Sequence, residues 1–235
     1  MCKKNQEALI LRAPELFAGL SHFARREMLS TARHGEFMDG GFVFWAGAPA
    51  SQVFLLTSGR VRIIQSNKNG AEIILRIVAR GELVNLPQTN PEGTHNSTAE
   101  AIEESKALVW DAATFVAALS RFPILARNVQ HILEQRIYDL SQRFCDVATA
   151  KASPRLARQL LSLLRQIGVK RNGRWEIKIP HEWMAEMAAL SQFTVSRFLA
   201  KWERQGVLKV RHGTVTIRDD EGLKRLCQES RVPAN

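Results

Sequence analysis

The stretch that decides the fold runs from Pro180 to Gly206 and reads PHEWMAEMAALSQFTVSRFLAKWERQG. Its apolar spacing predicts two short helices joined by a tight corner at residues 189–191. Ser191 can cap the second helix by accepting a hydrogen bond from a free backbone N–H, and Gly206 is a usual terminator. We therefore expect a helix pair, with the second helix ending at about Gln205.

The second helix has two different faces. Its inward face carries apolar residues at helical spacing, namely Val195, Phe198, Leu199 and Trp202. Its outward face carries two i,i+4 pairs formed by Gln192, Phe193, Ser196 and Arg197. An amide, a hydroxyl and a guanidinium at the N-terminal end of such a helix can reach base edges in a DNA major groove. The alternative is a solvated helix on an ordinary domain.

Positive charge is concentrated around this helix pair. Residues 151–235 hold 17 Lys and Arg against 8 Asp and Glu, which accounts for nine of the ten net positive charges of the chain. A localised basic domain is typical of proteins that bind the phosphate backbone of nucleic acids, although a charge excess can also serve solubility alone. Beside a candidate base-reading helix, the charge favours DNA binding.

Other features of the composition exclude several classes of protein. Apolar runs are too short to cross a membrane and the N-terminus lacks a signal-peptide core, which favours a cytoplasmic location. Cys2, Cys145 and Cys227 are widely separated, and they suit reduced thiols better than a disulfide framework or a zinc site. We find no phosphate loop, no Gly-x-Ser-x-Gly turn and no metal-ligand cluster, and we therefore expect neither an enzyme nor a metal site.

The N-terminal half reads as a helical segment followed by short strands. Residues 13–31 predict a helix whose apolar stripe includes Phe23. Short β-rich runs then extend to Trp110, punctuated by turn signals such as Asn67-Lys68-Asn69-Gly70. Many short strands at near-regular spacing predict a small barrel or roll.

A long helix is predicted from Pro123 to about Ala150. Apolar residues recur along it at intervals of 4, 3, 4 and 3, the seam of a two-stranded coiled coil, at Leu133, Ile137, Leu140, Phe144 and Val147. Paired reading helices suit palindromic DNA, so the pattern favours a homodimer. The alternative is a helix packed on its own domain.

A hairpin centred on Arg211-His212-Gly213 follows the helix pair and makes it a winged helix-turn-helix. The sequence thus predicts an α+β protein in three parts. A roll with flanking helices occupies residues 1–120, the dimerisation helix occupies 121–150, and the DNA-binding domain occupies 151–235.

This order of parts resembles the Crp/Fnr (cyclic-AMP receptor and fumarate-nitrate regulator) family of bacterial transcription factors over nearly the whole chain. The motifs that carry the resemblance are Gly47-Ala48-Pro49-Ala50 through Leu55, Ser58-Gly59-Arg60-Val61-Arg62, Gly81-Glu82-Leu83, and Leu190-Ser191 through Arg197. The resemblance implies that the roll is a double-stranded β-helix (jelly roll) of the cyclic-nucleotide-binding type. It also implies a homodimer that binds a pseudo-palindromic DNA site, works with RNA polymerase and is controlled by a small effector in the roll.

The resemblance assigns roles along the recognition helix. Base-contacting positions fall on Gln192, Ser196 and Arg197, and the last of these suits a guanine. Phosphate-contacting positions fall on Ser191, Thr194, Lys201 and the wing residue His212. Phe193 stands where many members of the family have a glutamate. Its ring could contact a thymine methyl but cannot accept a hydrogen bond from cytosine N4. Ala189 replaces a glycine often found at the corner, which predicts slight strain there.

The effector pocket departs further from the family. Cyclic-AMP-binding members supply a glutamate for the ribose and an arginine–serine pair for the phosphate. Glu82 and Leu83 match the start of that cassette, but Asn96-Ser97 aligns with the arginine–serine pair, so the cation is absent. On the long helix Leu140-Ser141 aligns with a threonine–serine pair for adenine. We therefore expect an effector other than cyclic AMP.

The sequence assigns no particular cofactor. An iron–sulfur cluster needs four thiolate ligands, which three scattered cysteines do not provide. Haem-binding relatives exist, and the conceivable axial ligands here are His22, His34, His95 and His131. A rival hypothesis from another class is a ligand-binding module that controls a partner protein, and it predicts no salt-dependent DNA affinity.

Overall fold

The computed structural model describes residues 15–86, 93–211 and 213–228. The contacts between residues divide the chain into two compact units, residues 1–138 and 139–235. This division falls inside the longest helix.

The first unit is a β-roll flanked by helices. It begins with a 3-10 turn (Glu15–Phe17) and helix α1 (His22–Ser30). In its described part, seven strands follow: β1 (Arg33–Phe37), β2 (Phe42–Phe44), β3 (Gln52–Ser58), β4 (Val61–Ser66), β5 (Glu72–Val78), β6 (Thr98–Ala101) and β7 (Ser105–Asp111). Helix α2 (Ala112–Arg121) and the first part of the long helix α3 (Pro123–Thr149) complete the unit.

Two antiparallel sheets form the roll, in the strand orders β1-β7-β3 and β2-β6-β4-β5. Alternate residues of β3 belong to two different cores. Val53 and Leu55 pack in a cluster with Trp110 and the helices, whereas Phe54 and Leu56 pack in the cluster between the sheets. Since side chains alternate across a strand, β3 lies between two apolar layers. The predicted roll is confirmed.

The N-terminal helix is shorter than predicted. Gly19 has a φ of +69°, a left-handed conformation that ends the 3-10 turn, and α1 starts only after Ser21, whose hydroxyl accepts a hydrogen bond from the Ala24 N–H at 3.2 Å. The prediction that Phe23 faces inward is wrong: α1 buries Ala24 and Met28, which lie one turn apart, and Phe23 lies off this face and is 64% exposed. Residues 13 and 14 of the predicted helix lie outside the described part.

The second unit contains the end of α3 and a winged helix-turn-helix. Its further elements are α4 (Ala152–Ile167), β8 (Val169–Arg171), β9 (Arg174–Lys178), α5 (His181–Ala188), α6 (Gln192–Arg204), β10 (Leu208–Arg211), β11 (Thr214–Ile217) and α7 (Asp220–Gln228). The strands form one antiparallel sheet in the order β10-β11-β9-β8. The wing strands β10 and β11 lie where the sequence predicted them.

The two hairpins of this sheet turn at opposite ends. The first residue after the wing turn is Thr214, and it pairs with Lys178 at the end of β9. The β8–β9 turn at Asn172-Gly173 precedes the start of β9. The two turns therefore point in opposite directions along the sheet.

Candidate nucleic-acid interface

The corner between α5 and α6 is formed by Ala189 in a left-handed conformation, with φ 50° and ψ 52°. Its backbone N–H donates to the carbonyls of Ala185 and Glu186, and the Leu190 N–H donates to the Ala185 carbonyl at 2.9 Å. These bonds satisfy carbonyls that the end of a helix leaves free. The corner lies at the predicted residues.

Ser191 begins α6 as predicted. Its hydroxyl accepts a hydrogen bond from the Thr194 N–H at 3.2 Å and lies 2.9 Å from the Thr194 hydroxyl. The helix ends at Arg204, and Gly206 follows with a φ of +76°. Both ends of α6 are thus fixed by local contacts that the sequence indicates directly.

The two faces of α6 separate as the spacing predicts. Val195, Leu199 and Trp202 are fully buried, and the half-buried Phe198 ring stacks on Trp202 at 5.9 Å. The exposed side chains include those of Gln192, Phe193, Ser196, Arg197 and Lys201. The Phe193 ring is 75% exposed, so an aromatic surface is available within an otherwise polar face. His212, predicted to join this surface, lies outside the described residues.

Two arginines from outside the helix pair hold its corner. Arg143 on α3 donates from Nε to the Met187 carbonyl at 2.8 Å, and Arg155 on α4 donates from Nη2 to the Ala189 carbonyl at 3.1 Å. A further Arg155 bond reaches the Val147 carbonyl on α3 at 3.1 Å. Burial lowers the pKa of the Arg143 guanidinium. These contacts connect the end of α3 to the corner, and nothing in the local sequence pattern indicates them.

One contact also links the two helices of the pair. The His181 Nδ1 atom, on the first residue of α5, lies 3.3 Å from the Ser196 Oγ atom on α6. The other ring nitrogen, Nε2, is buried and has no hydrogen-bond partner among the described residues. A predicted base-contacting hydroxyl is therefore already engaged by a histidine that sequence reasoning did not select.

In the first unit, Glu82 lies among arginines. Its carboxylate is 3.5 Å from Arg76 Nη1, and Arg76 Nη2 donates to the carbonyls of Leu83 and Val84 at 2.8 and 2.6 Å. Arg136 on the long helix donates to the same Leu83 carbonyl. The two guanidinium groups thus meet at the Leu83 carbonyl, and that of Arg76 also lies beside the Glu82 carboxylate.

Burial shifts the pKa of all three groups in this cluster. It raises the pKa of Glu82, which the charge of Arg76 partly opposes. It lowers the pKa of Arg76 to about 10 and that of Arg136 to about 9, the latter also through the charge of Arg76. A second carboxylate, that of Glu15, also acts on this cluster: its charge raises the pKa of both Glu82 and Arg136.

The remaining predicted pocket residues differ in exposure. Leu83 packs in the apolar core, and its backbone forms a bridge with Leu55. Ser97 is buried and Asn96 is exposed. Leu140 and Ser141 are exposed on α3. The structure therefore places Glu82 in a charged cluster and Leu83 in the core.

Of the four histidines considered as haem ligands, His95 is the buried one. Its ring stacks on Phe44 with centroids 3.7 Å apart, and burial lowers its pKa. His22, His34 and His131 are exposed. The described residues contain no group of three or more metal-ligating side chains. Cys145 and Cys227 are free thiols.

The part of the chain that the structure describes contains no helix with the length and apolar character needed to span a membrane.

Comparison with known proteins agrees with this architecture. Residues 35–122 match the family model of the cyclic nucleotide-binding domain, and residues 154–226 match that of the Crp-like helix-turn-helix domain. The chain is 28% identical over 217 residues to the cyclic AMP receptor protein of Thermus thermophilus, covering 92% of this chain and 98% of that relative. It is 24% identical over 218 residues to the CRP-like cAMP-activated global transcriptional regulator of Mycobacterium tuberculosis, covering 92% and 97%.

Among solved structures, FixK2 from Bradyrhizobium japonicum shares the fold with a TM-score of 0.75 at 20% identity, covering 83% of this chain and 96% of that one. The two domains and their order define a DNA-binding transcription regulator. The chain belongs to the Crp/Fnr family, as its motifs indicated.

Proposed function

We propose that this protein is a homodimer that reads a pseudo-palindromic DNA site through two copies of α6, under the control of a small effector other than cyclic AMP. The observation that carries the proposal is the outward face of α6. It presents polar side chains and one aromatic ring from a helix whose other face is buried and whose ends are capped. The surrounding residues 151–235 carry nearly all of the net positive charge.

Each exposed side chain at the start of α6 suits a particular base feature. The Arg197 guanidinium matches the O6 and N7 acceptors of guanine, and the Gln192 amide matches N6 and N7 of adenine. The Phe193 ring suits a thymine methyl and offers no acceptor to cytosine. We therefore expect a half-site that differs from that of members with glutamate at this position.

Phosphate contacts would flank these base contacts. Ser191 and Thr194 lie at the N-terminus of α6, where free N–H groups and the helix dipole favour an anion. Lys201 lies one turn beyond Arg197 and is exposed. Together with His212, these residues would position α6 in the groove without specifying sequence.

Dimerisation is supported by the exposed seam of α3. Its five apolar residues, Leu133, Ile137, Leu140, Phe144 and Val147, are between 39% and 72% exposed in the single chain. A continuous apolar stripe of this kind is costly in water, and pairing with a second copy would bury it. Two copies of α6 would then meet two half-sites.

The effector would bind in the roll. Relatives are named for cyclic AMP, but here Asn96 provides no cation for a cyclic phosphate, and Glu82 is already held by Arg76. Effector binding would shift the equilibrium between two arrangements of the dimer. We include RNA polymerase as a further partner on the family resemblance, and we assign no enzymatic activity.

A random-site DNA selection with the purified protein tests the proposal, followed by affinity measurements on the selected site. Arg197→Ala should weaken specific binding by roughly 1–3 kcal/mol and relax the preference at one base pair of each half-site. Arg204→Ala, which removes the same charge from the last turn of α6, is the matched control and should leave base preference unchanged. Equal losses of Arg197→Ala on selected and random DNA would contradict the assigned role.

A further inference from the structure

We propose that His181 determines specificity by positioning the Ser196 hydroxyl so that it donates a hydrogen bond to a base. This inference rests on the proposed function of α6 as the DNA-reading helix. The inference adds His181, which lies on α5 and not on the outward face of α6 (the reading face). It also names the kind of base atom that Ser196 selects.

The geometry places His181 on α5, beside Ser196 of α6. It is the first residue of α5, and its Nδ1 atom is 3.3 Å from Ser196 Oγ. The helices meet at a corner that two arginines hold through backbone carbonyls. These two bonds hold the end of α5 and the corner, at Met187 and Ala189, and the contact between His181 and Ser196 then joins α5 to α6.

The buried Nε2 atom decides which partner donates. A neutral imidazole carries one hydrogen, on either nitrogen. Either tautomer can form the bond with Ser196 Oγ and leaves Nε2 unpaired, but a buried N–H without a partner is rarer in folded proteins than an unpaired buried acceptor. The Nδ1–H form is therefore favoured, and a second proton on Nε2 would leave the direction of the Nδ1 bond unchanged.

The direction of this bond sets what Ser196 offers to DNA. Once its oxygen accepts from His181, its own hydrogen is free to donate. A serine inside a helix often turns this hydrogen back to the carbonyl four residues earlier, and the described part of the structure shows no such bond from Ser196 to Gln192. Ser196 should consequently favour bases with acceptors in the major groove, thymine O4 or guanine O6 and N7, over the amino groups of cytosine and adenine.

A double-mutant cycle on DNA tests the inference. The base pair read by Ser196 is the one whose preference Ser196→Ala removes, and affinity is measured for all four bases at that position. We expect the wild-type protein to favour an acceptor base about three- to tenfold, in line with a single net hydrogen bond. His181→Ala should reduce this preference to less than about twofold without changing preferences elsewhere, and it should have no further effect when added to Ser196→Ala.

His181→Asn supplies an amide N–H near the position of Nδ1 and should restore part of the preference, which separates positioning from a general effect on folding. Uniform loss of affinity at all positions in His181→Ala, or additive effects of the two alanine substitutions, would overturn the inference. A wild-type protein without any sequence preference would overturn the proposed function as well.

The tautomer can be measured without DNA. Long-range proton–nitrogen NMR spectra of the full-length protein distinguish Nδ1–H from Nε2–H in the His181 ring, with His181→Asn used to assign the signals. We expect the Nδ1–H pattern. A neutral ring with its hydrogen on Nε2 would overturn the inference whatever the outcome of the DNA experiments.

Discussion

At the scale of single residues, Ala189 adopts a conformation that suits glycine better than alanine. A left-handed backbone conformation costs an L-residue about 1–2 kcal/mol. Glycine avoids this cost, but its greater conformational freedom in the unfolded chain offsets about 0.5–1 kcal/mol of the gain. The Arg155 bond goes to the Ala189 carbonyl and would survive the change. We expect Ala189→Gly to raise the free energy of unfolding by about 0.5–1 kcal/mol, as measured by urea denaturation.

Ala200, which is exposed in the middle of α6, provides the control for this substitution. The backbone there is helical, so Ala200→Gly should lower the free energy of unfolding by about 1 kcal/mol. If both glycine substitutions destabilise the protein, the corner is not strained at Ala189.

His95 should make the stability of the protein sensitive to pH. Burial lowers the pKa of His95 in the folded protein below the ordinary value of 6.5. At a pH between the lowered pKa and 6.5, the unfolded chain therefore binds a proton that the folded chain does not. The free energy of unfolding therefore falls as the pH drops below 6.5, by at most about 1.4 kcal/mol per pH unit. His95→Phe should remove this contribution, as measured by urea denaturation at pH 7.5 and 5.5.

His34, exposed on β1, is the matched position for this comparison, and His34→Phe reports the effect of removing a surface imidazole. Parallel curves of the free energy of unfolding against pH for the wild-type protein and His95→Phe would show that burial of His95 does not affect how stability depends on pH.

Single residues also show what could be predicted from sequence. Ser191 and Gly206 act on their immediate neighbours, so the ends of α6 lie where the sequence placed them. The contact of Arg136 with the Leu83 carbonyl joins residues 53 positions apart, and that of His181 with Ser196 depends on how two helices pack. Such contacts leave no periodic pattern, and for this reason the charged cluster and the histidine were missed.

At the scale of elements, the accuracy of prediction follows the strength of the apolar pattern. Helix α6 combines a clear inward stripe with caps at both ends and was predicted closely. Helix α7 was not predicted, because its large buried apolar residues are only Leu223 and Leu226. The N-terminal helix was predicted too long, since the left-handed Gly19 interrupts an apolar pattern that continues on both sides.

The seam of α3 gives a prediction about assembly. Ile137 is the second of the five seam residues and is 60% exposed in the single chain. In a coiled-coil dimer, Ile137→Glu would place two carboxylates in the apolar interface, where burial of unpaired charge is costly. We expect this variant to be monomeric at concentrations where the wild-type protein is a dimer, as measured by sedimentation velocity.

Tyr138→Glu provides the control, because Tyr138 is equally exposed at 59% but lies one position away from the stripe. This variant should remain dimeric. A monomeric wild-type protein, or equal behaviour of the two variants, would contradict the seam as the dimer interface.

At the scale of the whole molecule, the charge distribution separates two tasks of the chain. The net charge of residues 1–150 is close to neutral, while residues 151–235 carry the excess. This excess favours binding to any DNA, and such binding weakens as salt rises, whereas in the proposed function a few side chains on α6 choose among sequences. Phosphate contacts and base contacts should therefore respond differently to salt and to DNA sequence.

A substitution of Lys201 tests whether phosphate contacts and base contacts respond differently, and it also shows how many subunits contact the DNA backbone. Each phosphate contact contributes about 0.9 to the slope of log affinity against log salt concentration. If a homodimer places both copies of Lys201 on phosphates, Lys201→Gln should reduce the magnitude of the slope by about 1.8 on selected and random DNA alike. Lys170→Gln is the matched control, because Lys170 is exposed on β8 beside the turn that points away from the wing, and it should leave the slope unchanged. A reduction of about 0.9 would mean that only one copy of Lys201 meets the backbone, which contradicts symmetric binding, and an unchanged slope would place Lys201 away from the phosphates.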